Sequence, residues 1–380
     1  MQIIEPKAIK RFKKNKSAMA GLAVVACASL LALGCYLFAP DNSPDANTQI
    51  LELETHPPGF TITMLKIPDR QRQQNSFLSG MLNGFEKNYK VIPILDYRII
   101  NDTLQVTLYK GKHFKPQIQS FKLSEILGYN SSTLQLNEIL KKQIEDKAFE
   151  KKTYWLGTDK FGRDILSRLI VGARVSLSVG GIAVAISLLV GVLLGAMAGY
   201  FQGAIDSIIM WFVNVVWSIP TLLLAMGLYI SAGSLIESKL AMIFIAVGLT
   251  MWVEVARIVR GQVMLVREME FISAARALGY NHFRIIAQHI LPNVAAPIIV
   301  VACANFANAI LVESGLSYIG LGIQPPAPSW GSMLNEYKDF IDTEQAYLAL
   351  FPGLCIMLLV LAFNLIGNGL RDALDVKGKI

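Results

Sequence analysis

Val175-Ser-Leu-Ser-Val-Gly-Gly-Ile-Ala-Val-Ala-Ile-Ser-Leu-Leu-Val-Gly-Val-Leu-Leu-Gly-Ala-Met-Ala-Gly-Tyr-Phe-Gln-Gly-Ala-Ile205 contains no charged side chain. A helix needs about 20 apolar residues to cross the hydrocarbon core of a bilayer, and this run exceeds that length. Working outward, Ala18–Ala39, Ser207–Ile236 and Gln345–Leu370 are equally free of charge. Val294–Val312 is closed by Glu313. Leu240–Val253 is shorter, and snorkelling of Glu254 and Arg257 extends it to about Ile258. The fold expected is an all-α polytopic membrane protein with about six transmembrane helices, at 18–39 and at about 175–200, 207–232, 240–258, 294–315 and 347–370.

Composition agrees. Hydrophobic residues make up 53% of the chain and charged ones 17%, against about 25% charged in ordinary soluble domains. The net charge of +7 has a membrane explanation, so no nucleic-acid partner is called for. Cys27, Cys35, Cys303 and Cys355 lie in apolar stretches without a CxxC pair or a His/Cys cluster. They read as small hydrophobes, and no metal site is expected.

Orientation follows from Lys and Arg in the short loops. Lys7, Lys10, Arg11, Lys13, Lys14 and Lys16 precede the first span. Arg257, Arg260, Arg267, Arg276 and Arg284 lie between the fourth and fifth, and Arg371, Lys377 and Lys379 follow the sixth. Both termini (1–17 and 372–380) and the 254–293 loop are therefore expected in the cytoplasm. By parity so is the turn around Gly199–Asp206. An apolar core as long as 18–39 also argues against a cleaved signal peptide.

Residues 40–152 are then an extracytoplasmic insertion between the first two helices, followed by a membrane-surface segment at 153–173. The insertion has a soluble composition. His56-Pro57-Pro58-Gly59 and Asn101-Asp102 signal turns, and Phe60–Ile67 and Leu104–Tyr109 alternate as strands do. Ser124 opens a short helix, and Asn137–Lys147 reads as another. A small α+β module follows, either a docking surface or a passive spacer.

Within the core of 174–371 that holds the remaining spans, the segment 264–292 reads as helix, break, helix. Phe271, Ala274, Ala275 and Leu278 recur at helical spacing. Gly279 supplies a left-handed stop, Asn281 can cap a second short helix through Ile290, and Pro292 is expected to end it. The product is a protruding hairpin.

Ala274-Ala275, three residues, Gly279, then Leu291-Pro292 resembles the ATPase-coupling loop of type 1 ABC importer permeases. Glu270 lies three residues before the place where that family carries Glu, which here is Ser273, and His289 replaces a usual Ile. Both departures resemble the dipeptide/oligopeptide branch. So do Gly157-Thr-Asp-Lys-Phe-Gly-Arg-Asp164 with Ser167-Arg168 and Gly172-Ala173-Arg174, and Leu316-Ser-Tyr-Ile-Gly-Leu-Gly322 with Pro325-Pro326 and Trp330-Gly331. The likeness covers about 155–375 and the first span.

The resemblance implies a multi-pass permease of the bacterial plasma (inner) membrane. It also implies a second homologous permease subunit, two ATP-binding subunits, an extracytoplasmic substrate-binding protein and a peptide substrate. This chain has no GxxxxGK[ST] loop and no nucleophile–base set, so ATP and Mg are expected on the partner subunits and no catalytic residue or cofactor here. Glu270, Ala274, Ala275, Gly279, His289, Leu291 and Pro292 would then form the coupling loop. Glu313, Pro220 and Trp330 are candidates for the pathway or gate. Gly180, Gly181, Gly191, Gly195 and Gly199 suggest a close helix contact, within the chain or with the partner permease. The competing readings are an ion-coupled secondary transporter, and an exporter or mechanotransmission protein with an extracytoplasmic sensor.

Overall fold

The structure, a computed structural model, describes residues 6–69, 75–100, 103–112, 114–127, 147–233, 236 and 238–374. The Asn101-Asp102 turn and, except for Lys147, the helix expected over 137–147 lie outside them.

Short helix α1 (Pro6–Lys14) leads into α2 (Lys16–Leu33), which Asn15 caps by accepting from the Ala18 amide. Gly34 interrupts this first span before a last turn, α3 (Cys35–Phe38). Short helices α4 (Phe77–Asn83) and α5 (Leu123–Leu127) belong to the segment that follows. There, β1 (Phe60–Pro68), β2 (Tyr89–Ile100), β3 (Thr103–Leu108), β4 (Gln117–Lys122) and β5 (Phe149–Tyr154) pair antiparallel in the order β4-β3-β2-β1-β5. Leu65, Ile94, Leu104, Val106 and Leu108 form its main core. Of its strands, only β1 and β3 show in the sequence as alternation.

Helix α6 (Ile165–Phe201) begins inside the expected surface segment, with Asp164 capping it through the Ser167 amide. The earlier start is possible because its polar side chains find partners: Arg174 donates to the Leu82 carbonyl, and Arg168 joins an ion network described below. The third span is not one helix. α7 (Gly203–Trp217) and α8 (Thr221–Ala232) meet at 95° across Ser218-Ile219-Pro220. Pro220 has no amide hydrogen to continue the ladder, so the expected bend becomes a break.

Helix α9 (Lys239–Arg267) is followed by α10 (Glu270–Ala277), a short turn α11 (His282–Arg284) and then α12 (Ala295–Tyr318), α13 (Trp330–Tyr337) and α14 (Tyr347–Leu374). Among the described residues five helices are long and apolar enough to cross a membrane, and six if the bent pair is one span.

The glycine face of α6 is an intrachain contact. A Cβ on Gly191, Gly195 or Gly199 would lie 2.5 Å from Val255 Cβ, 2.5 Å from the Ala256 carbonyl or 2.7 Å from the Arg260 carbonyl, all on α9. Small residues every fourth position let these backbones approach. Gly180 meets Phe306 of α12 instead, at 2.5 Å, whereas for Gly181 that ring is 3.8 Å away. The ends of α2 and α14 are likewise close, with Gly369 against Ala18.

Candidate functional site

The hairpin is closed by backbone geometry. Gly279 adopts φ +77°, and a side chain there would meet nothing within 4 Å. Conformation, not space, therefore demands glycine; the left-handed region costs other residues roughly 1–2 kcal/mol. The Gly279 amide donates to the Arg276 carbonyl at 2.9 Å and the Tyr280 amide to the Ala275 carbonyl at 3.2 Å. This pair of bonds satisfies carbonyls that the end of α10 would leave open. Asn281 Oδ1 then accepts from the Arg284 amide at 2.7 Å and starts the returning helix.

Pro292 does not end that helix. A π-helical run, Ile285–Ile290, passes into a 3-10 turn, Leu291–Val294, and straight on into α12. The proline ring removes one amide donor. The wider π turn absorbs the mismatch, and Asn293 Nδ2 donates to the His289 carbonyl at 2.6 Å. His289 stacks on Tyr280 with ring centroids 5.6 Å apart.

Burial divides α10 differently from the sequence pattern. Ile272 and Ala275 face inward against Val263, Val266, Ile285, Ile290 and Val294. Phe271, Ala274 and Leu278, three of the expected stripe, are exposed together with Glu270. Leu278 is 73% exposed and Phe283, on the returning arm, 78%. The hairpin thus keeps a small inner core and presents an apolar outer tip.

That tip is tied to the spans. The Tyr200 hydroxyl, at the end of α6, lies 2.9 Å from His282 Nδ1, and Arg276 sits 5.4 Å from the Tyr200 ring centroid. On the turn into α7, Asp206 takes two bonds from Arg260 of α9, 2.5 Å from Nε and 2.6 Å from Nη2. The 199–206 turn and the hairpin therefore share one end of the helix bundle.

A charged clasp joins elements at the other end. Asp159 is fully buried. Its Oδ1 accepts from the Phe161 and Arg163 amides, at 2.9 Å and 3.0 Å, and its Oδ2 from Arg163 Nε at 2.6 Å and the Tyr337 hydroxyl at 2.9 Å. Glu336 of α13 accepts from Arg163 and, at 3.2 Å, from Arg168 Nη2. Burial, with Asp159 alongside, pushes the Tyr337 hydroxyl pKa well up. The run 157–164 is consequently a structural hub, which its turn-rich sequence did not reveal. The sheet connects here too, because Tyr347 of α14 donates to the His56 carbonyl at 2.9 Å.

Trp330 is buried in the same region, donating to the Leu169 carbonyl at 2.9 Å and packing on Gly172. It braces α13 against α6. Glu313 is fully buried, its Oε1 accepting from Ser317 at 2.8 Å. Its carboxyl group meets protein, with Ser314 as a second, longer neighbour. Among the described residues no group of His, Cys, Asp and Glu is arranged to hold a metal ion.

The sequence relationships fit this geometry. Residues 191–377 match the binding-protein-dependent transport system inner membrane component family, and residues 7–58 match the N-terminal TM domain of oligopeptide transport permease C. The chain is 46% identical to the dipeptide transport system permease protein DppC of Alkalihalophilus pseudofirmus, a match covering 60% of this chain and 73% of that protein. It is 41% identical, over the same shares, to the glutathione transport system permease protein GsiD of Pectobacterium atrosepticum. A solved chain of the MetNI methionine ABC transporter, inward facing, is similar at 15% identity and TM-score 0.46, over 55% of this chain and 96% of that one; this is too loose to transfer any position. The chain belongs to the binding-protein-dependent inner-membrane transport components, as a multi-pass permease of the dipeptide/oligopeptide type.

Proposed function

We propose that this chain is one half of the membrane path of an ATP-driven peptide importer, and that the 264–292 hairpin is the part an ATP-binding subunit grips. The observation that carries the reading is a hydrogen-bonded, closed hairpin whose Phe271, Leu278 and Phe283 face solvent. Exposed apolar clusters on an ordered surface mark contact sites. The Tyr200–His282 contact links that tip to α6, so movement of the hairpin reaches the spans.

In this reading the hairpin end and both termini lie in the cytoplasm, as the Lys and Arg distribution favours. The sheet over 60–154 lies outside, where it is either a docking surface or a spacer. A second homologous permease completes the path. Two ATP-binding subunits hold ATP and Mg, and a substrate-binding protein delivers peptide. Closure of the ATPases draws the hairpins together and the spans change access. A hairpin drives such a change only by binding differently to the two ATPase states. The dipeptide and glutathione permeases named above support a short peptide as cargo.

The test is uptake of labelled di-, tri- and pentapeptides by vesicles holding the complete transporter, with and without this subunit. ATP-dependent uptake that vanishes without the subunit is expected. Uptake that persists without it, or that follows an ion gradient with no need for ATP, would overturn the reading.

A further inference from the structure

Glu254 stands near the middle of α9, inside a helix long and apolar enough to cross the membrane. It is exposed, whereas its neighbours Val253 and Val255 are buried. Among the described residues it makes no ion pair. Arg257, three positions on, lies over the Trp217 ring with its guanidinium carbon 4.0 Å from the centroid. An ionisable side chain within a span is costly, and it is retained where it faces a cavity or a partner.

Glu254 does face a cavity. One of about 340 Å³ opens where α7 breaks from α8, lined by Trp217, Thr221, Thr250, Glu254 and Asn308 together with apolar side chains of α9 and α12. The hydroxyl of Thr250 donates to the Val247 carbonyl at 2.7 Å, leaving its oxygen to accept. Asn308 and Thr221 are exposed. The site thus combines a carboxylate that makes no ion pair with neutral hydrogen-bonding groups, the Trp217 ring being taken by Arg257. That set suits a primary ammonium group with an amide beside it, which is the amino-terminal end of a peptide. Glu313, the acidic residue that the sequence singles out, has its carboxylate spent on serine hydroxyls.

We propose that Glu254 is a specificity-determining residue of the membrane path, receiving the α-ammonium of the peptide in the cavity beside the broken span. This rests on the importer reading above. The experiment uses the complete transporter in proteoliposomes with a tripeptide of free amino terminus, comparing wild type, Glu254→Gln and Glu254→Asp. Loss of one charge-assisted bond should lower the maximal uptake rate of the Gln variant about tenfold or more, with the Asp variant recovering most of it. Affinity of the binding protein for peptide should not change. In wild type, a photoreactive group on the first residue of the tripeptide should label α9 around Glu254, and the same group on the last residue should not.

Uptake by the Gln variant at the wild-type rate, or labelling that ignores which end carries the group, would overturn the assignment. Failure of the wild-type transporter to show any ATP-dependent uptake would overturn the importer reading, and this assignment with it.

Discussion

The Tyr200 hydroxyl and His282 Nδ1 stand 2.9 Å apart, joining the last turn of a transmembrane helix to the returning arm of the hairpin. Tyr200 is 3% exposed and His282 is exposed, so the bond bridges the bundle and its projecting element. Tyr200→Phe removes the hydroxyl and keeps the ring. A single neutral hydrogen bond contributes about 1 kcal/mol. The variant should fold normally and transport less peptide per ATP hydrolysed, by a few-fold. Parallel measurement of ATPase rate and uptake in proteoliposomes checks this; an unchanged ratio would remove this bond from the coupling route.

Gly279→Val should leave the subunit in the membrane and uncouple hydrolysis from uptake. The site has room, so the penalty comes from φ +77° alone. A β-branched residue resists that conformation more than alanine does. The expected order of coupling is therefore Gly, then Ala, then Val. Normal transport by the Val variant would mean that the hairpin does not need this closure.

Glu336→Ala should destabilise the clasp strongly. Arg163 and Arg168 are 3% and 2% exposed at their side chains, and both pair with Glu336. Removing one partner of a buried pair typically costs about 3–5 kcal/mol. Thermal unfolding of the detergent-solubilised transporter should shift down accordingly, and Glu336→Asp should shift it less. An effect below about 1 kcal/mol, the worth of an exposed pair, would mean that solvent reaches the cluster.

The sheet should loosen at acidic pH. His56 is 3% exposed, with Nε2 2.8 Å from the Tyr109 hydroxyl and Nδ1 3.1 Å from the Glu54 carbonyl. Burial, reinforced by Lys112, lowers its pKa below the usual 6.5. The unfolded chain therefore binds the proton at a higher pH than the folded one. Stability is fully present above about 6.5 and declines as pH falls below it, until the lowered folded pKa is passed. Limited proteolysis of the 41–154 segment across pH 7 to 5 reads the change. His56→Gln should flatten the profile.

Gly195→Leu should prevent α6 from seating on α9, because even a Cβ there lies 2.5 Å from the Ala256 carbonyl. Backbone cannot give way as a flexible side chain can. Overpacking costs about 1–3 kcal/mol or more. The expected result is poor accumulation in the membrane, whereas Gly181→Ala, with a neighbour at 3.8 Å, should accumulate normally. Equal accumulation of both would place the α6–α9 contact outside the fold's needs.

The spans were legible in the sequence because charge is excluded from hydrocarbon whatever the tertiary arrangement, and Val175–Ile205 or Gln345–Leu370 show that exclusion directly. Gly279 and Asn281 were legible for a similar reason, since a left-handed stop and a side-chain cap are local chemistry. What the sequence could not settle depends on distant partners. Pro292 reads as a stop, yet a π turn and the Asn293 amide carry the helix past it. Phe271, Ala274 and Leu278 read as one stripe with Ala275, yet only Ala275 finds a core, because Ile285 and Ile290 return beneath it. Glu336 lies 173 and 168 residues from Arg163 and Arg168 in the chain, and no spacing rule announces that it meets them beside Asp159. Which acidic residue of the spans is buried and which faces a cavity is likewise a matter of packing: Glu313 is buried on the hydroxyls of Ser314 and Ser317, and Glu254 lines the cavity beside the broken span.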